Sequence, residues 1–314
     1  MADPDWLAER FETHRAHLRA VAYRMLGSLS EADDAVQDAW LRLARADSSS
    51  VDNLGGWLTT VVARLCLDRL RSRTARGEEP MGVHLPEPIV SSADAAPDPE
   101  QEAILADSVG MAMLIVLERL SPAERLAFVL HDTFGLPFEQ IAPIVDRTPT
   151  AARQLASRAR RRVRGSVAPA QVTPARQREL VDAFLAAARA GDFEALLRVL
   201  DPEVVVRADA GAMLTPVGRS REVHGASEVA RQALTFRALA PGARAATVNG
   251  AAGIVVYSGD RPFAVLGFTF EGRGRSARIA EIDILLDPER LERLDLSAVS
   301  SLGAVRAGAV SGEA

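Results

Sequence analysis

The chain has 314 residues, 48% of them hydrophobic, and a formal net charge of −5, which is material for two or three compact domains and argues weakly against a general nucleic-acid coat. No stretch approaches the about eighteen uncharged apolar residues of a membrane span, and the opening MADPDWLAER has no apolar signal core. A lone cysteine, Cys66, and five histidines without ligand spacing exclude a disulfide framework and a built-in metal centre, so a cytoplasmic protein with no membrane contact, metal or cofactor is expected.

All 37 basic residues are arginine, the cation whose planar fork suits carboxylates, phosphates and base edges. Residues 1–80 carry long helical patterns. Ser30 is the expected N-cap of EADDAVQDAWLRLARA, in which Val36, Trp40 and Leu43 form one buried stripe and Asp33, Asp34, Gln37, Asp38 and Leu41 face the other way. The next helix, GWLTTVVARLCLDRLRSR, is mostly apolar but keeps a polar stripe of Thr60, Arg64, Asp68 and Arg71. A solvated bundle face explains either stripe, taken alone, as well as a function does. Residues 81–108 hold six acids and no arginine and read as an acidic, Pro-rich extended linker.

Residues 109–165 are more specific. A helix opened by Ser121-Pro122 is followed by a turn at Gly135–Pro137, a short helix from Phe138 to Val145, and a left-handed turn residue at Asp146. Thr148-Pro149 then opens the last helix. Short helix, tight turn, arginine-rich helix is the order of a helix-turn-helix, whose second helix enters the major groove. Ile141, Ile144, Ala152 and Leu155 would pack the two helices together, leaving Arg153, Gln154, Ser157 and Arg158 outward and Arg160, Arg161, Arg162 and Arg164 for phosphates. From Arg147 to Arg164 there are seven arginines and no acid, an imbalance that a merely solvated face does not need. A second break, 165–174, leads to a third domain, 176–290. There helices at 177–190 and 227–239 flank a helix-then-strand segment and precede the strand-like runs AATVN, AGIVVYS, PFAVLGFTFEG and ARIAEIDILL. Residues 291–314 are expected to be a tail.

In order along the chain, these motifs resemble an extracytoplasmic-function (group IV) sigma factor of the sigma-70 family. AYRMLGSLSEADDAVQDAWLRL is similar to region 2.2, which implies that Asp34, Gln37, Asp38 and Leu41 bind the β′ clamp helices of core RNA polymerase. GGWLTTVVARLCLDRLRSR resembles regions 2.3–2.4, which assigns Arg64, Asp68 and Arg71 to the −10 element, with the loop 46–55 where such factors capture a flipped base. The helix-turn-helix resembles region 4, near the polymerase β flap, which assigns Arg153, Gln154, Ser157, Arg158, Arg160 and Arg161 to the −35 duplex. The third domain resembles the SnoaL-like, nuclear transport factor 2-like cone. Sigma factors carrying that fusion have an LPEP linker motif, a DGGG motif and an NPDKL-like end motif. Here these correspond to Leu85-Pro86-Glu87-Pro88, to Asp209-Ala210-Gly211-Ala212, and to Asp287-Pro288-Glu289-Arg290-Leu291. The resemblance thus implies intramolecular contacts through Leu85, Pro86, Glu87, Pro88, Asp209, Gly211, Asp287, Pro288 and Leu291.

The expectation is a multidomain chain: two all-α domains (sigma region 2, residues 1–80, and helix-turn-helix region 4, residues 109–165) and a C-terminal α+β cone-shaped SnoaL-like domain. Its function would be to direct core polymerase to promoter DNA, regulated in cis by the third domain, whose cone has room for an unknown small ligand. Two rivals stand against it. A helix-turn-helix regulator that is no sigma subunit would bind DNA without polymerase. A SnoaL-like isomerase or cyclase would use Asp209 or Asp283 as its acid or base, with His224 as partner; a sigma factor would have no catalytic activity of its own.

Overall fold

The computed structural model describes residues 4–45, 53–76, 83–93, 110–164, 172–211 and 220–299. Residues 46–52 of the expected flipped-base loop 46–55, Ala212, most of the acidic linker and the last fifteen residues lie outside them; Leu54 and Gly55 of that loop already belong to the following helix. The chain divides into two compact units, residues 1–79, 98–108 and 113–167 in one and 80–97, 109–112 and 168–314 in the other. Among the described residues no helix is long and apolar enough to cross a membrane.

The first unit is helical. α1 (Pro4–Leu26), α2 (Leu29–Leu43) and α3 (Leu54–Arg76) pack around Leu18, Val21, Met25, Leu43, Leu58 and Val62, all fully buried. The N-cap of α2 is Ser28, whose hydroxyl accepts from the Glu31 amide, rather than the expected Ser30, which lies inside the first turn. α4 (Met111–Glu118) leads to α5 (Pro122–Phe128), which opens with a Ser121/Glu124 capping box and runs directly into a π-helical turn, Val129–Thr133. α6 (Phe138–Val145) ends at Asp146 with φ +56°, and α7 (Pro149–Arg164) follows. Ile141, Ile144 and Ala152 are buried between these helices, and Leu155 is half-buried.

The two helical segments are not separate domains. The Arg125 guanidinium on α5, 5% exposed, donates to the Met25 carbonyl at the end of α1 (2.8 Å) and to the Leu117 carbonyl (2.6 Å). Burial brings its pKa down to about 10, so it stays charged at neutral pH and its two carbonyl partners must replace its water. Phe134 receives the edge of His17 at 5.0 Å, and Arg24 lies over its ring at 4.8 Å. Such cross-segment contacts between residues a hundred positions apart leave no trace in local periodicity.

The second unit is a seven-stranded mixed sheet among the described residues. Its strands are β1 (Val90–Ser92), β2 (Leu200–Asp209), β3 (Arg221–His224), β4 (Ala243–Val248), β5 (Ala251–Ser258), β6 (Arg261–Glu271) and β7 (Arg278–Leu285), in the order β1-β4-β5-β6-β7-β2-β3. Only β2 and β7 run parallel. α8 (Pro174–Ala190), α9 (Phe193–Val199) and α10 (Ala226–Thr235) cover one face, where Leu180, Val181, Leu196, Ile254 and Ile282 form the core. The other face is closed by Leu291, Leu296 and Val299, packed with Val90, Val255 and Val265. The boundary at 290 is therefore corrected to at least 299. The segment is short and polar in composition, but its Leu291, Leu294, Leu296 and Val299 are large aliphatics that the sheet needs.

Candidate nucleic-acid interface and linker clamp

α7 presents its charges in two groups. Arg153, Gln154, Ser157 and Arg161 lie exposed along one side, with Arg153 stacked over the Phe138 ring at 5.2 Å. Arg158, Arg160 and Arg162 are held by acids of the same unit: Arg158 and Arg162 by Glu124 (3.4 and 3.0 Å), and Arg160 by Asp132 (2.7 Å). The Asp132 hydrogen bond raises the Arg160 pKa further. Glu124 and Asp132 were not singled out in sequence; both lie on α5 and its π-helical extension, and only the fold brings them to α7.

On α3, Arg64, Asp68 and Arg71 are exposed in one stripe, with Arg71 3.7 Å from Asp146 at the helix-turn-helix corner. On α2, Asp34, Gln37 and Leu41 form an exposed strip, and Leu41 at 45% exposure is one of two large apolar side chains so open among the described residues. Asp38 differs. It is half-buried and accepts from Arg69 at 2.8 Å, tying α2 to α3. Trp40 packs on Phe11 with ring centroids 5.1 Å apart. Burial pushes the Cys66 thiol up to about 12, so it is an inert core residue.

Within the second unit the linker is gripped rather than free. Proline pre-extends the segment, Leu85, Pro86 and Pro88 are buried, and β1 adds to the sheet edge antiparallel to β4. Asp209, 1% exposed, accepts from the Leu85 amide (2.9 Å) and the Gly211 amide (3.0 Å) and pairs with Arg290 (2.6 Å), while Arg290 also donates to the Leu85 carbonyl. Both backbone groups of Leu85 are thus held by one buried ion pair. The turn Asn249-Gly250 repeats the device: Ile89 donates to the Asn249 side chain (2.6 Å) and accepts from the Asn249 amide (2.8 Å). Asp287 caps α11 (Pro288–Leu291) through the amides of Glu289 and Arg290, and so aims Arg290 at the linker.

The motif departure at Ala210 falls where it does little harm. Positive φ occurs at Gly211 (+64°), which is retained, and a Cβ there would collide with the Asp287 carboxylate. Ala210 has no such conformation. Arg290 and Asn249 were missed in sequence. Arg290 had a signal, as the basic residue within the end motif, whereas Asn249 read only as a hairpin turn.

The carboxylates proposed for an enzyme are occupied elsewhere. Asp283 pairs with Arg207 (3.3 Å), which also meets Glu281 (2.9 Å) and Glu222 (3.7 Å). Burial, set against the Arg207 charge, pushes Asp283 up to about 7, and the surrounding carboxylates hold Arg207 firmly charged. His224 is exposed and pairs with Glu222 at 3.0 Å, not with either aspartate. Asp209 and Asp283 alternate with Ala208, Ile282 and Ile284, so they lie on the sheet face away from the helices.

Comparison with known proteins accords with this arrangement. The Sigma-70 region 2 model matches residues 10–76, and the Sigma-70, region 4 model matches residues 111–163. The chain is 42% identical over 224 residues to a probable ECF RNA polymerase sigma factor, SigI, of Mycobacterium tuberculosis, covering 70% of this chain and 76% of that one. It is 43% identical over 226 residues to the ECF RNA polymerase sigma factor SigJ of the same organism, covering 70% of each. The crystal structure of Mycobacterium tuberculosis extracytoplasmic function sigma factor SigJ aligns with a TM-score of 0.72 at 34% identity, over 92% of this chain and 99% of that one. With an arginine-lined helix-turn-helix, a three-helix region 2 and a C-terminal mixed sheet all matched, the chain belongs to the extracytoplasmic-function group of the sigma-70 family of RNA polymerase sigma factors.

Proposed function

We propose that the exposed strip of α2 (Asp34, Gln37 and Leu41) docks on core polymerase, the α3 stripe (Arg64, Asp68 and Arg71) serves the −10 element, and the outward side of α7 (Arg153, Gln154, Ser157 and Arg161) serves the −35 duplex. The observation that carries the assignment is the division of partners on α7: among the described residues no acid pairs with Arg153 or Arg161, while Arg158 and Arg162 share Glu124 and Arg160 pairs with Asp132. Asp34 is assigned to the polymerase because it shares its exposed strip with Gln37 and the open apolar side chain of Leu41, a mixture that suits a protein partner. Asp38 contributes by holding α2 against α3.

In the same reading, the second unit regulates the sigma regions in cis through its hold on Leu85–Pro88. A segment tethered on the same chain meets its docking site at an effective concentration around millimolar, so even a weak contact is substantially occupied. The test is run-off transcription with purified core polymerase. Arg153→Ala and Asp34→Arg should both lose product, the first through promoter binding and the second through core binding. Arg290→Ala should raise product by releasing the linker. Full product from Arg153→Ala and Asp34→Arg refutes the surface assignments, and product unchanged in Arg290→Ala refutes regulation through the clamp.

A further inference from the structure

The two faces of the C-terminal sheet are packed to different degrees. Val255, Val265 and Leu285 on the outer face are buried to 2% or less, whereas their chain neighbours Val256, Leu266 and Ile284 on the helical face stay half-exposed. The difference is a cavity of about 140 Å³ between α8, α10 and the sheet. Phe184, Phe236 and Phe263 give it aromatic walls. A dry cavity of about this size, lined by aliphatic and aromatic side chains, accepts a benzene-sized molecule.

Polarity enters at two places. Among its lining side chains only Gln232, half-buried on α10, and Arg221, exposed on β3, end in polar groups. Arg221 pairs across the sheet with Ala208, which places it on the cavity side of β3. The adjacent Glu222 points to the opposite face, toward Arg207 and His224. Among the described residues no carboxylate pairs with Arg221. An unneutralised guanidinium beside an apolar cavity selects an anionic head on an apolar body, because the planar fork matches a carboxylate and the body is drawn out of water.

We propose that this cavity is a binding site for a small, compact apolar carboxylate, such as a single substituted ring, with its body between α8, α10 and the sheet and its carboxylate on Arg221 and Gln232. The role proposed is binding. It does not depend on the linker clamp being regulatory.

Calorimetric titration of the full chain with 4-ethylbenzoate, neutral 4-ethylbenzamide and acetate tests the proposal. The benzoate should bind once per chain, the amide about tenfold more weakly for want of the charge-assisted pair, and acetate not measurably. Arg221→Gln should bring the benzoate to the level of the amide while leaving amide binding unchanged. Ala233→Phe should abolish both by filling the cavity, with Ala233→Leu as the milder variant should the first fail to fold. No benzoate binding to the natural chain, equal benzoate binding in Arg221→Gln, or undiminished binding in both folded Ala233 variants overturns the proposal.

Discussion

At the scale of single residues, Asp209 is a buried charge that survives because it has three donors. Removing a partner from such a pair costs more than the pair itself contributes, since the remaining charge stays buried. Arg290→Ala is therefore expected to destabilise the second unit by about 2–4 kcal/mol and to speed amide exchange across residues 83–93; unchanged protection of that segment would refute the clamp. Gly211→Ala forces both a left-handed conformation on a residue with a Cβ and a collision with Asp287, an expected loss of about 1–3 kcal/mol in unfolding measurements. Asp283 supplies a pH signature. Its folded pKa of about 7 lies above the unfolded value of 3.8, so the native state holds the extra proton. Its stabilising share is complete below about pH 4 and is lost as pH rises toward 7. Asp283→Asn should flatten the fall of unfolding free energy between pH 4 and 8 by about 1–3 kcal/mol; an unchanged slope would show that Asp283 ionises normally.

At the scale of elements, the helix-turn-helix is built from local signals that agree with one another. Asp146 takes the left-handed corner, Thr148 caps the next helix by accepting from the Ala151 amide, and Pro149 occupies its first turn. Local agreement of this kind is why its boundaries were readable before the fold. Which arginines of α7 remain available was not readable, because Glu124 and Asp132 arrive from α5 and the π-helical turn. Arg153→Ala is expected to weaken binding of a −35 duplex by about 1–3 kcal/mol, and Arg158→Ala by distinctly less, as measured by fluorescence anisotropy at fixed salt. An equal loss in both would mean that Arg158 leaves Glu124 on binding DNA.

At the scale of the whole molecule, chain order and unit membership do not coincide. The helical segments on either side of the acidic linker make one unit, and the linker's own middle, residues 83–93, is part of the sheet domain. The C-terminal boundary likewise reaches Val299. A chain ending at Arg290 uncovers the outer sheet face and is expected to lose several kcal/mol relative to one ending at Val299, at about 1.5–3 kcal/mol per buried Leu or Val; equal thermal midpoints would show that residues 291–299 are dispensable. The sequence by itself determined the family, the corner at Asp146, the arginine-rich second helix of the helix-turn-helix and the motifs that meet at Leu85, because each rests on local periodicity, capping or a contiguous motif; the strands Val90–Ser92 and Arg221–His224, short and without a periodic signature, were not legible. Tertiary structure alone decided that Arg290 and Asn249 hold the linker, that Arg125 joins the helical segments, that Asp209 is spent on an ion pair and Asp283 is buried against Arg207, and that an apolar cavity remains on the other face, since partners as far as 205 residues apart are chosen by packing and not by spacing.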